Sequence, residues 1–361
     1  MKVVIAGGGT AGHVNPAIAL GRALEGSDVT FIGTPKGAEA RLVPAAGFSF
    51  ETIEVRGFDR SRPLSLFAVG AKAIGAVRAA RRILKQVAPD VVVGMGGYVA
   101  LPVVVAARMR GIPIVIHEQN SVFGLTNRIS KRIAKRVAVS FDETLTQAGK
   151  RAVKTGNPVL PELAHMDHAR ERKAAIERFD LDTNRKTLLV FGGSQGARRI
   201  NQAVTGLVSL WAAKSDRQIL HITGSSAAAQ SVEPASRGEL LYRRVGYVER
   251  MQEPYAVADL ALVRGGATTV AELGATGLPA LVVPYPFHRD KQQERHGRAL
   301  ESVGAARVIL DEETTAERVA TEAEEIMGDG ALLADMRRAA RSAGNPDAAA
   351  ALAAVVKEAA A

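Results

Sequence analysis

Two glycine runs carry the side chains of this chain that are best placed for chemistry. The first is Gly7-Gly8-Gly9-Thr10-Ala11-Gly12-His13, directly after the apolar run Val3-Val4-Ile5-Ala6. The second is Gly192-Gly193-Ser194-Gln195-Gly196, directly after Thr187-Leu188-Leu189-Val190-Phe191. In both, a buried-strand pattern runs through glycines into helical periodicity, which leaves backbone N–H groups at a helix start facing a crevice. A histidine on such a loop suits general-base work near neutral pH. Its bland alternative is a helix-start residue without chemistry.

The first run satisfies G-x-G-x-x-G, a weak signal alone. A dinucleotide domain also wants an acidic residue ending its second strand, but Val29-Thr30-Phe31-Ile32 ends in Gly33-Thr34, and Asp28 stands at the wrong end. The Gly-Lys-Ser/Thr ending of a nucleoside-triphosphate loop is also missing. The second run satisfies G-x-S-x-G, so Ser194 is either a hydrolase nucleophile, with His221, His288 or His296 downstream, or a ligand for a phosphate oxygen. Phosphate is favoured, because a hydrolase elbow there leaves the first loop without a role. Downstream, Thr269 and Glu272 have capping-box spacing, and Glu272 one turn into a cleft-facing helix would alternatively accept both hydroxyls of a ribose. The paired amides Gln292 and Gln293 suit neutral sugar hydroxyls, or mark an exposed helix start.

Strand–helix alternation must position these groups. Strands are expected at Asp28–Ile32, Phe50–Val55, Val91–Val93, Ile112–Ile116 and Val137–Val139, with a helix over Val14–Leu24. The scheme repeats at Thr187–Phe191, Ile219–Thr223, Leu260–Val263 and Ala280–Val283, and an alanine-rich helix closes the chain from Asp347. This pattern implies an α/β fold of mostly parallel sheets with right-handed crossovers. A length of 361 residues makes two domains the default, with Thr155–Pro161 as the linker.

Composition narrows the options. The absence of cysteine excludes disulfides, thiolate zinc sites and a cysteine nucleophile. The apolar stretch Val91–Ala107 is broken by Gly94, Gly96, Gly97 and Pro102, whereas a bilayer span needs about 20 apolar residues. Met1-Lys2-Val3-Val4 enters a strand at once, so no signal peptide is expected. Residues 1–161 carry 22 Lys and Arg against 10 Asp and Glu, and the rest carries 25 against 27. The first half therefore expects an anionic partner. Nucleic acid is disfavoured, because aromatics are 4% and no stacking motif accompanies the charge.

Jointly, the motifs resemble one family from end to end. They are Gly-Gly-Thr-Ala-Gly-His at 8–13, Gly-Met-Gly-Gly-Tyr at 94–98, His-Glu-Gln-Asn at 117–120, Gly-Leu-Thr-Asn at 124–127, Gly-Asn-Pro-Val at 156–159, Gly-Gly-Ser-Gln-Gly-Ala-Arg at 192–198 and Gly-Ala-Thr-Thr-Val-Ala-Glu at 266–272. The chain resembles glycosyltransferase family 28, whose bacterial members transfer N-acetylglucosamine from UDP-GlcNAc to lipid I, giving lipid II for peptidoglycan. The resemblance implies a GT-B fold: two Rossmann-like domains, at 1–161 for the acceptor and the membrane and at 162–345 for the donor, facing one cleft. A helix at 346–361 crosses back to the first domain.

It implies that Ser194, Ala267, Thr268, Thr269, Val270, Ala271 and Glu272 hold the UDP part of the donor, with Val248 near the uracil. Gln292 and Gln293 would reach the sugar. Thr10, Ala11, Gly12 and Asn120 would line the sugar and diphosphate side, and Tyr98, His117, Glu118 and Asn127 the acceptor side. His13 is the expected base and Glu118 the alternative. Leu160 stands where many relatives carry an arginine. No metal or other cofactor is expected, since helix dipoles can meet the leaving charge.

The acceptor's undecaprenyl tail implies peripheral attachment to the cytoplasmic side of the cell membrane, through anionic lipids of that leaflet. The apolar stretch 63–72, the cations Arg78, Arg81, Arg82 and Lys85, and the cluster Lys131–Arg136 are the candidates. Rival readings are a diacylglycerol glycosyltransferase, a UDP-GlcNAc epimerase, a serine hydrolase on Ser194 and a non-catalytic nucleotide-binding module.

Overall fold

The computed structural model describes residues 1–9, 11–55, 66–224, 233–234 and 238–361. The chain forms two compact units, one of residues 1–160 with 347–361, the other of residues 161–346. The first unit runs β1 (Lys2–Ala6), α1 (Ala11–Ala23), β2 (Asp28–Gly33), α2 (Glu39–Ala45), β3 (Ser49–Thr52), α3 (Leu66–Val87), β4 (Val91–Gly94), α4 (Ala100–Met109), β5 (Ile114–Glu118), α5 (Leu125–Ser130), β6 (Arg136–Val139), α6 (Asp142–Ala148) and β7 (Ala152–Lys154). Its sheet has the order β3-β2-β1-β4-β5-β6-β7, with every neighbouring pair parallel.

The second unit holds α7 (Pro161–Ala164), α8 (His168–Phe179), β8 (Lys186–Phe191), α9 (Arg198–Leu210), β9 (Arg217–Ile222), β10 (Glu233–Pro234), β11 (Leu241–Val245), α10 (Gln252–Val257) and β12 (Leu260–Val263). It continues with α11 (Ala267–Thr276), β13 (Ala280–Val282), α12 (Gln292–Ser302), β14 (Ala306–Val308), α13 (Ala316–Gly328) and α14 (Gly330–Ala343). Its order is β10-β11-β9-β8-β12-β13-β14, parallel except for β10. The last helix, α15 (Ala348–Ala360), belongs to the first unit.

The apolar runs of the central strands are buried on both faces, as parallel sheets covered by helices require. Side chains alternate along a strand. Val3, Ile5, Val91 and Val93 pack with Ile18 and Leu20 of α1 and with Leu352, Val355 and Val356 of α15. Val4, Ala6 and Val92 point the other way, into a cluster with Ala80 and Leu84 of α3 and Val103 and Val104 of α4. The closing alanine-rich helix thus covers one face of the first sheet. In the second unit, Leu188, Val190, Leu260 and Leu262 pack against Ile200, Val204 and Leu207 of α9, with Trp211 fully buried beside them.

Candidate active site

Each sheet reverses its strand order once, between β1 and β4 in the first and between β8 and β12 in the second. Crevices at the carboxyl ends of the strands beside such a reversal are where open α/β sheets take ligands. Both glycine loops stand there: the first leaves β1, the second leaves β8, and Gly265-Gly266 leaves β12.

In the first unit, α1 begins at Ala11 and puts half-buried His13 in its first turn. Thr10 lies outside the described residues. A Cβ placed on Gly96 would stand 3.6 Å from His13 Cδ2 and 3.7 Å from Asn127 Nδ2, so the β4 loop, α1 and α5 meet at this glycine. Gly96 has φ +89° and Gly97 φ +77°, which only glycine adopts without strain. Gly97 also lies flat on Gly8, where a Cβ would come 2.6 Å from the Gly8 carbonyl oxygen. Tyr98, next along, is 63% exposed. Burial lowers the His13 pKa, and the opposing charge of Glu39 raises it back only in part. His13 is therefore a neutral imidazole, able to take a proton, at physiological pH.

His117 and Glu118 close β5, both buried. His117 Nε2 lies 3.0 Å from the Gly156 carbonyl oxygen, and burial drops its pKa to about 4. Glu118 accepts at Oε1 from the Asn120 N–H and Asn120 Nδ2, both 3.1 Å. At Oε2 it accepts from the Gly124 N–H at 3.0 Å and Asn127 Nδ2 at 3.1 Å. Burial raises its pKa against the pull of these bonds. Four donors around one carboxylate fold the segment 118–127 onto it, which is the work of a loop organiser. Asn127 Nδ2 also donates to the His117 carbonyl at 2.9 Å. His117 Nδ1, Asn127 Oδ1 and both amide atoms of Asn157 are buried without a protein partner. Leu160 packs against the core of this unit.

In the second unit, Gly193 (φ +91°) and Gly196 (φ +75°) make the turn, and the Gly196 N–H closes on the Gly193 carbonyl at 2.9 Å. Ser194 is exposed on the loop. The helix behind it, α9, has no side-chain cap and no acidic residue in its first turn, and it opens with Arg198 and Arg199. Cations at a helix start oppose its dipole, whereas an anion there gains from both. The first histidine downstream of the loop, His221, is engaged at both ring nitrogens, 2.8 Å from the Tyr242 hydroxyl and 3.1 Å from Asn201 Oδ1. An uncapped helix start favours an anion there, and His221 is already committed to other partners.

Beside it, Gly266 caps α11, which removes the Thr269–Glu272 capping box. Glu272 is buried and accepts the Tyr255 hydroxyl at Oε2, 2.8 Å away. Burial lifts its pKa to about 7, against the pull of that hydrogen bond. Tyr255 is itself buried and edge-on to Phe191, the residue before the second loop. Neither Tyr255 nor its bond to Glu272 was foreseeable from spacing. Ala267 and Val270 are buried, Thr268, Thr269 and Ala271 half-buried, and the Val248 side chain is buried. Gln293 Oε1 accepts the Tyr285 N–H at 3.0 Å, which pins the segment before α12, and a Cβ on Gly265 would strike the Gln293 carbonyl. Arg264 donates to the Val283 and Pro284 carbonyls and pairs with Asp311 at 2.5 Å, tying the β12 and β13 loops together.

Residues 3–139 match the glycosyltransferase family 28 N-terminal domain and residues 187–352 the glycosyltransferase family 28 C-terminal domain. The chain belongs to glycosyltransferase family 28. It is 40% identical over 359 residues to a Desulfitobacterium hafniense protein named UDP-N-acetylglucosamine--N-acetylmuramyl-(pentapeptide) pyrophosphoryl-undecaprenol N-acetylglucosamine transferase, covering 96% of each chain. It is 42% identical over 344 residues to the protein of that name from a Nocardioides species, covering 94% of this chain and 93% of that one. The crystal structure of Acinetobacter baumannii MurG superposes with a TM-score of 0.74 at 28% identity, covering 99% of both. The two Rossmann-like units are those of the GT-B class that this family shares.

Proposed function

We propose that this family 28 enzyme moves N-acetylglucosamine from UDP-GlcNAc to the C4 hydroxyl of the muramoyl sugar of lipid I, forming lipid II. The C4 oxygen attacks C1 of the donor sugar on the face opposite the diphosphate. A C1–O bond forms as the bond from C1 to the β-phosphate oxygen breaks, the electron pair leaves with UDP, and the hydroxyl proton passes to His13. The anomeric centre inverts. Ser194 and the open start of α9 receive the diphosphate, and Glu272, steadied by Tyr255, accepts the ribose hydroxyls. Val248 lies near the uracil through its backbone, and Gln292 and Gln293 meet the sugar.

One observation carries this reading: an uncharged imidazole stands at one glycine loop, and an uncapped, arginine-flanked helix start stands at the other. Helix N–H groups meet the leaving charge, so no metal enters the scheme. Turnover should survive EDTA, and its loss would remove that part. Measuring UDP release with lipid I against a diacylglycerol acceptor tests the whole. Release with the diacylglycerol alone would overturn it.

Among the described residues, no helix is long and apolar enough to cross a membrane. Peripheral attachment to the cytoplasmic leaflet is part of the proposal because the acceptor carries an undecaprenyl tail. On α3, Arg78, Arg81, Arg82 and Lys85 are all exposed, and Ile74 is 55% exposed beside them. Residues 63–65 of the apolar stretch lie outside the described residues. At the start of β5, a depression of about 360 Å³ is lined by Arg108, Arg132, Lys135 and Arg151. Each such cation is worth about 1 kcal/mol against an anionic surface.

A further inference from the structure

We infer that Glu39 is a positioning residue that sets the first glycine loop for His13 and denies that loop's Gly9 amide to the donor's diphosphate. This rests on the reading of His13 as the base. Glu39 opens α2, where the bland account is an acidic residue at a helix start. Its carboxylate does take its own N–H at that helix start, but its other partners come from elsewhere. Oε2 accepts the Gly9 N–H at 2.9 Å, and Oε1 accepts the Thr34 N–H at 2.9 Å and the Thr34 hydroxyl at 2.7 Å. The residue is 1% exposed, and a Cβ on Gly8, Gly33 or Gly37 would collide with its side chain. Three glycines, one on the first loop, one ending β2 and one just before α2, thus shape a cradle for one carboxylate.

In a dinucleotide-binding fold the glycine-loop amides point at a pyrophosphate. Here a resident anion holds Gly9, so a second anion at the same place would meet repulsion. That leaves the donor's diphosphate to the second loop. Burial alone would raise the Glu39 pKa, but the bonds from Gly9 and Thr34 hold it below the ordinary carboxylate value, so the negative charge is permanent at neutral pH. Glu39 also supplies the charge that partly offsets the effect of burial on His13. The other groups approaching His13, Asn127 on α5 and Gly96 after β4, are neutral. On the elements packed against α1, Arg41 of α2 and Lys357 of α15 are exposed, and Glu358 of α15 pairs with Arg136. Arg22 sits in the last turn of α1, at the end away from His13.

The test compares the full chain with Glu39→Gln and Glu39→Ala across pH 5 to 9, using UDP-GlcNAc and lipid I, with melting curves alongside. Glu39→Gln should fold, keep KM for UDP-GlcNAc within about threefold and lose about 10–100-fold in kcat, the scale of a misplaced reacting group. Its acid limb should move to lower pH, because the charge favouring imidazolium is gone. Unchanged kcat, an unmoved acid limb, or a tenfold rise in KM at constant kcat would overturn the proposal. If His13→Ala keeps turnover, the base reading falls separately. Glu39 is then judged by amide exchange, with Gly9 and Thr34 losing protection in Glu39→Ala if it sets the loop and keeping it if it does not.

Discussion

The two glycine loops are the same backbone device in opposite electrostatic settings. Each follows the first strand of its unit and leads into a helix at a sheet reversal. Under the first lies a buried carboxylate that consumes the Gly9 amide. At the second, among the described residues, no side chain caps the helix, the serine is exposed and two arginines stand where the helix opens. A glycine motif therefore does not name its ligand. What already occupies its N–H groups does.

The sharpest way to break this contrast is at the base. His13→Ala should lower kcat by about 10²–10⁴-fold while leaving UDP affinity within twofold, by steady-state assay and calorimetry. A variant that instead loses UDP binding would make the first loop a diphosphate site after all. Next comes Glu272→Gln, which should weaken UDP by about 10–100-fold, as expected for losing hydrogen bonds to a buried charge. The native protein should bind UDP more tightly as pH rises through about 7, because ribose hydroxyls donate to the ionised carboxylate. In Glu272→Gln that pH dependence should vanish. Tyr255→Phe removes the one hydroxyl that fixes Glu272 and should cost about three- to tenfold in UDP affinity, the scale of a single buried hydrogen bond. Binding unchanged in this variant would mean the carboxylate needs no support. Smallest is the effect at the surface, where Arg108→Ala or Arg132→Ala should each weaken sedimentation with anionic liposomes about fivefold. Loss that ignores salt or lipid charge would count against that face.

Much of the frame is legible in the sequence because β1, β4, β8 and β12 each hold an apolar run of three or more residues buried on both faces. Less legible are β7 and β14, three residues each, too short for a pattern. The strand β11 reads Leu-Tyr-Arg-Arg-Val and hides because two arginines break its apolar pattern, one of them, Arg243, buried and paired with Asp180. At the candidate site, His13 and Ser194 stand next to glycines, and Glu272 lies one helix start beyond Gly265-Gly266, so all three draw the eye in the sequence. Glu39 does not. It lies 30 residues from Gly9, and the acidic group sought at the end of β2 sits a few residues later, returned to the loop only by the fold. Glu118, the alternative base by resemblance, proves to be ringed by donors from its own loop.

A crystal structure with UDP-N-acetylglucosamine bound tests the division between the loops most directly. The expected result is the diphosphate on Ser194 and the amides leading into α9, with Glu272 on the ribose and Gly9 still bonded to Glu39. Phosphate oxygens on the Gly7–Gly9 amides, with the Glu39 carboxylate displaced, would contradict it.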